Sequence, residues 1–171
     1  MLYSSIGYYA LILGLGISLI LVYFSIKNFQ NSSTLNTKIL SFTFLQFFLV
    51  VISFVRLVIS FVLSDFSNET VFNNSHTTKP LFYKIAGTWG NHEGSLLLWL
   101  LVLTLFILIF FLKTKNQPLK YKLLTLIFQQ IIIIGFFLFL IQTSNPFNFI
   151  FPTPEEGMGL NPILQDPALA I

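Results

Sequence analysis

The sequence predicts an all-α integral membrane protein of four transmembrane helices, with both termini on the periplasmic or intermembrane-space side. Three observations carry that prediction. Only 9% of the 171 residues are charged, against roughly 25% in an ordinary soluble domain, and so few charges cannot coat a globule of this size. Apolar residues make up 55%, including 21 Phe, which excludes a disordered chain, since such chains are poor in aromatic and branched residues. Four stretches reach the length of about 20 mostly apolar residues that crosses a bilayer. The absence of cysteine excludes a disulfide scaffold, a Cys-ligated metal site and thiol chemistry by this chain. A pI near 9.2 does not indicate nucleic acid, because the nine basic residues are spread over the whole chain.

The spans cover about 6–26, 39–63, 95–112 and 123–141 of a single membrane domain, 1–171. Each must be helical, since lipid offers no partner to open backbone groups. The first is a span and not a cleavable leader, because residues 1–5 carry no basic side chain and the apolar run is too long. No proline falls within a span, and Pro80, Pro118 and Pro146 all stand in connections. Orientation follows from the charges. Lys27, Lys38, Lys113, Lys115, Lys120 and Lys122 lie in the two short connections, which contain no acid. All six acids lie in the 64–94 connection and the 142–171 tail, opposed there only by Lys79 and Lys84. Basic residues in short loops mark the cytoplasmic or matrix side, so the long loop and the tail face outwards.

The outer segments are long, and long connections of this kind are usually functional or disordered. The tail holds five of the seven prolines interleaved with Phe147, Phe149, Phe151, Leu160, Ile163 and Leu164, which reads as a semi-rigid path lying on the membrane face or on a partner. The densest polar cluster is Trp89-Gly90-Asn91-His92-Glu93-Gly94-Ser95, followed at 99 by the second of only two tryptophans. It opens the third span. Glu93 suits the positive end of the helix dipole, Asn91 and Ser95 are the two candidate caps, and the glycines permit close approach of a planar ligand or another helix. Two readings stand side by side: a capped, Trp-anchored helix start, and a polar pocket at the membrane surface using His92 and Glu93. Upstream, Pro80–Gly87 reads as one or two helical turns in the interface. His76, among Asn and Thr, is either a solvated loop histidine or a ligand. Arg56, the one basic residue within a span, either snorkels outwards or pairs with Glu93. Asn31, Asn68 and Asn73 match the glycosylation pattern. No phosphate loop, nucleophile elbow, dinucleotide fingerprint or zinc spacing occurs, so no catalytic residue and no metal ligand is assigned.

The string W-G-N-H-E-G-S-L-L-L-W at 89–99 resembles the signature of the cytochrome c maturation factor F (CcmF) family, the haem-lyase membrane proteins of the system I pathway. The likeness extends to Leu63-Ser64-Asp65-Phe66, Tyr83-Lys84-Ile85-Ala86, Thr143-Ser144-Asn145-Pro146-Phe147 and Leu160-Asn161-Pro162-Ile163-Leu164-Gln165-Asp166-Pro167. The resemblance covers essentially the whole chain and corresponds to the family's N-terminal portion. Two positions depart from it: Ala168 stands where Gly is usual, and Arg56 where an apolar residue is.

The resemblance implies a part in attaching haem to the Cys-X-X-Cys-His site of apocytochrome c. Haem would arrive from a carrier protein on the outer face, in a complex with a thiol-handling partner. In the family, the Trp-rich domain and the axial histidines lie further along. This sequence stops at Leu169-Ala170-Ile171, where the family continues into a His-Pro-Pro segment. The expectation is the first piece of a split gene, or a truncated chain, with separately encoded pieces carrying the missing residues. It would then sit in the mitochondrial inner membrane, with the bacterial inner membrane as the alternative, and would be non-catalytic alone. Neither His92 nor His76 matches a family axial ligand. The residues expected on a haem-facing surface are Trp89, Gly90, His92, Glu93, Gly94, Ser95 and Trp99. The tail residues Leu160, Asn161, Pro162, Gln165, Asp166 and Pro167 would brace it. The competing expectation is a structural subunit of a respiratory inner-membrane complex without haem chemistry. A small transporter lacks support, since no span is broken and no paired charges lie within the membrane.

Overall fold

The structure, a computed structural model, describes residues 2–31, 37–114 and 116–159. Among these, four helices are long and apolar enough to cross a membrane: α1 (Leu2–Asn31), α2 (Thr37–Val62), α5 (His92–Lys113) and α6 (Leu119–Gln142). Two short helices, α3 (Glu69–Asn74) and α4 (Leu81–Gly87), lie in the connection between α2 and α5. The 22 residues of α5 rise about 33 Å, enough for a hydrocarbon core of about 30 Å. The helices extend past the apolar stretches read from the sequence, because the polar flanks 27–31 and 119–122 continue the same turns. Pro118 sits at the N-cap of α6, φ −53°, where its missing N–H costs nothing.

Neighbours in sequence pack as neighbours in space, α1 on α2 and α5 on α6, while α2 meets α5 and α6 closes the ring onto α1. Leu11, Leu21, Val50, Leu57, Leu100, Ile133 and Phe137 are buried along its axis. Side chains such as Trp99, Phe106 and Phe128 point outwards, as expected where lipid is the solvent and apolar exposure carries no penalty. Several small hydroxyls inside turn back on their own helix: Ser25 donates to Leu21 O at 2.6 Å, Thr43 to Ile39 O at 2.8 Å and Thr104 to Leu100 O at 3.0 Å.

One polar contact ties three helices together inside the bundle. Gln46 of α2 and Gln130 of α6 exchange amide hydrogen bonds of 3.0 and 2.8 Å. The Gln46 amide also donates to Ser18 Oγ of α1 at 2.5 Å. All three residues are fully buried. Pairing of this kind satisfies amides that have no water to turn to.

The long connection between α2 and α5 is ordered. Asn68, fully buried, accepts from Val71 N at 3.1 Å as the cap of α3 and donates to Pro146 O at 2.9 Å. Its burial removes it as a glycan acceptor. The tail runs against this loop: Glu69 N donates to Asn148 O, Ile150 N to Ser67 O, Met158 N to Phe72 O and Gly159 N to Ser75 O, at 2.8–3.1 Å. A tail lying on the protein's own outer loop is the outcome for 143–159. The bracing residues Leu160, Asn161, Pro162, Gln165, Asp166 and Pro167 lie outside the described residues. Phe147 anchors the tail on α1 by packing where Gly7 has no side chain, so the start of α1 and the tail share one end of the bundle.

Candidate functional site

The 88–95 segment forms a tight turn between α4 and α5. Thr88 N and Gly90 N donate to Ile85 O and Ala86 O at 3.0 Å, so α4 ends in a closing turn. Asn91 then takes an extended conformation, φ −126° and ψ 167°, and its Oδ1 accepts from Gly94 N at 2.7 Å. Of the two candidate caps the structure uses Asn91, and α5 begins at His92, three residues before the apolar run. The same amide donates to Gly87 O at 2.7 Å and Thr88 O at 3.2 Å, so one side chain fastens both helices to the turn. Ser95 Oγ donates to His92 O at 2.9 Å. Gly94 is buried, and any side chain there would overlap the Thr88 carbonyl. Its contribution is this close approach of backbone to backbone.

Trp89, Gly90, Asn91, His92, Glu93 and Ser95 line an open cavity of about 610 Å³ whose opposite wall is Asn73 and Asn74 of α3. The structure therefore brings together five of the seven motif residues expected at the surface. Gly94 lies beneath the cavity. Trp99, two turns deeper, faces outwards from α5 with 61% exposure and does not line it. His92 Nε2 pairs with Ser144 Oγ at 3.3 Å, and its ring meets Phe139 of α6 edge-on at 6.2 Å. Nδ1 is thus the ring nitrogen left facing other partners. Asn74 Nδ2 donates to Thr70 O at 2.9 Å, and Asn91 is consumed by capping. The groups left for a ligand are the Asn73 amide, the Trp89 indole, the Glu93 carboxylate and His92 Nδ1. No group of three or more His, Cys, Asp or Glu that could hold a metal ion occurs among the described residues.

Sequence reading missed Asn73 and Asn74 as a wall, because the contact depends on how α3 is seated. Below the cavity, a second groove of about 410 Å³ between α5 and α6 is lined by Leu96, Ile132, Gly135, Phe136 and Phe139. His76 lies away from the cavity, its Nδ1 2.9 Å from Thr78 Oγ1 and 3.8 Å from the Glu156 carboxylate. Arg56 is half-buried in α2.

Residues 89–171 match the cytochrome C assembly protein family. Cytochrome c-type biogenesis protein CycK of Rhizobium meliloti is 42% identical over 167 residues, covering 97% of this chain and 25% of the relative. Cytochrome c-type biogenesis protein CcmF of Escherichia coli is 38% identical over 166 residues, 96% of this chain and 26% of the relative. Among solved structures, cytochrome c heme lyase CcmF superposes with a TM-score of 0.78 at 25% identity, over 85% of this chain and 25% of that one. The chain thus spans about a quarter of the length of the relatives it matches. Residues 89–171 match the model of the cytochrome C assembly protein family, and the chain as a whole is similar to the N-terminal portion of CcmF.

Proposed function

We propose that the chain is the N-terminal membrane part of a cytochrome c haem lyase, acting in cytochrome c biogenesis by helping to position haem for covalent attachment to apocytochrome c. The observation that carries this reading is the cavity shaped by the 89–95 motif and Asn73–Asn74. Its volume lies in the range of small-molecule sites, roughly 300–1,000 Å³, and it opens at the outer end of a membrane helix. Haem is the substrate here. The residues fit its face and rim: Trp89 offers an aromatic wall, Asn73 an amide donor for a carboxylate edge, and Glu93 repels that edge and so favours one orientation. No axial ligand is assigned in this chain, because neither His92 nor His76 matches an axial ligand of the family it resembles.

On this reading the chain is non-catalytic alone. It works with separately encoded pieces carrying the Trp-rich domain and axial histidines, a haem carrier, a thiol-handling partner and apocytochrome c. The lysine-rich connections face the matrix side of a mitochondrial inner membrane or, in the alternative, the cytoplasmic side of a bacterial one.

Purification of the tagged chain in mild detergent tests this reading. Companions carrying the missing segments, together with a Soret band, support it. A colourless chain that comes down alone overturns it. A His92→Ala/Glu93→Gln variant present at normal level should lose most cytochrome c formation, whereas a mere scaffold would keep it.

A further inference from the structure

The end of the bundle opposite the cavity carries a second site, built around the α5–α6 turn. The sequence from 113 to 122 has four lysines and no acid. Every acid among the described residues lies at the other end, at 65, 69, 93, 155 and 156. On either side of residue 115, Thr114 N donates to Phe110 O at 3.0 Å and Gln117 N to Thr114 O at 3.1 Å. The turn encloses a cleft of about 350 Å³ lined by Thr114, Gln117, Pro118 and Tyr121. Lys113, the last residue of α5, and Lys120, in the first turn of α6, are the sequence neighbours of its lining residues Thr114 and Tyr121. Lys120 Nζ stands 5.8 Å over the Phe29 ring, and Lys27 Nζ 6.0 Å over Tyr23, which holds positive charge at the level where the spans end. Tyr121, 5.9 Å from the Phe110 ring, forms the wall towards α5. Pro118 caps α6 without a side-chain hydrogen bond, so the first-turn N–H groups are open to an outside acceptor.

Below the cleft, Tyr121, Leu124, Phe128 and Ile131 are all exposed. Their spacing of three and four residues puts them on one face of α6. A polar, cationic cleft therefore continues directly into an apolar stripe running into the membrane. We propose that this is a binding site for an anionic phospholipid, its headgroup phosphate between Lys113, Lys120 and Gln117 and an acyl chain along the α6 stripe. Charge complementarity selects an anionic headgroup, since basic pockets between membrane helices bind such lipids. The adjoining stripe selects a lipid over a soluble anion.

Native mass spectrometry of the full chain in detergent tests the site, with phosphatidylglycerol and phosphatidylcholine of identical acyl chains as probes. Preferential retention of phosphatidylglycerol is expected, and Lys113→Gln or Lys120→Gln should each weaken it about fivefold. Lys79→Gln, at the other end, should leave it unchanged, and Lys120→Arg should restore it. Equal retention of both lipids, or equal loss in Lys79→Gln, overturns the proposal. So does displacement of the lipid by inorganic phosphate at matched concentration, which marks a site for a free anion. Circular dichroism of each variant separates loss of the site from loss of the fold.

Discussion

Carboxamide side chains do different work in two regions of this molecule. Inside the bundle, Gln46 and Gln130 bond to each other and to Ser18. At the outer end, Asn68 and Asn91 bond mainly to backbone. The contrast follows from the solvent. In hydrocarbon every backbone N–H is already used by its own helix, so an amide oxygen finds its donor on another side chain, and the result is a lock between helices. In the aqueous region helix ends leave N–H and C=O groups open, so an amide caps one element while tying down the next. The first arrangement fixes how the spans pack. The second shapes the cavity.

Disrupting the outer arrangement should have the larger effect. Gly94→Ala puts a methyl group onto the Thr88 carbonyl, a backbone group that cannot swing aside, and crowds the Asn91 amide that caps α5. A destabilisation of about 3 kcal/mol is expected, read as a lower thermal unfolding midpoint in micelles and as lost cytochrome c formation. Asn68→Ala removes the α3 cap and leaves Pro146 O unpaired, at about 2 kcal/mol. Because it frees the tail from the loop, proteolysis should begin at 143–159. An intact tail in that variant would mean that the backbone bonds of 148–159 and Phe147 against Gly7 hold it without the cap.

The inner arrangement is tested by a double-mutant cycle. Gln46→Leu alone strands the Gln130 amide in an apolar interior and should cost about 1 kcal/mol. Gln46→Leu with Gln130→Leu should cost less than the two single changes added together, because neither amide is then left unmet. Strict additivity would show that the two glutamines act separately.

These two regions also differ in how far the sequence discloses them. The four spans are legible because apolar runs of membrane length have few other meanings, and the helix start at 89–95 is legible because caps and dipole charges follow local rules. The Gln46–Gln130 pair is not, since 84 residues separate its members and each looks like an isolated polar defect in its span. The role of Asn68 is hidden for a related reason. Its Asn-X-Thr spacing fits a glycan acceptor, but a bond to residue 146 buries it. Even α3 leaves little trace, as a six-residue helix held by tertiary contacts has no apolar period to display. Local chemistry is readable, whereas contacts between distant segments are set by packing.

The smallest expected effect concerns the outermost tie between tail and loop. The Glu156 carboxylate accepts from Thr77 Oγ1 at 2.5 Å and Thr77 N at 2.9 Å. The Thr77 hydroxyl, then its backbone N–H, hold the acid below its ordinary value of 4.5, helped by Gly157 N and His76 against a slight opposing effect of burial. A carboxyl group bound more tightly when ionised stabilises the folded tie above its unfolded value, and that contribution disappears as pH falls through the folded one. The tail should therefore be best protected at neutral pH and loosen below about 4.5. Amide exchange at Thr77 reads this directly. Glu156→Gln should speed that exchange modestly at pH 7 and abolish the acid-side change, because Gln still accepts a hydrogen bond but no longer titrates. An acid transition that survives in Glu156→Gln would assign the pH dependence to another group and leave the outer cap held by Asn68 and Phe147 alone.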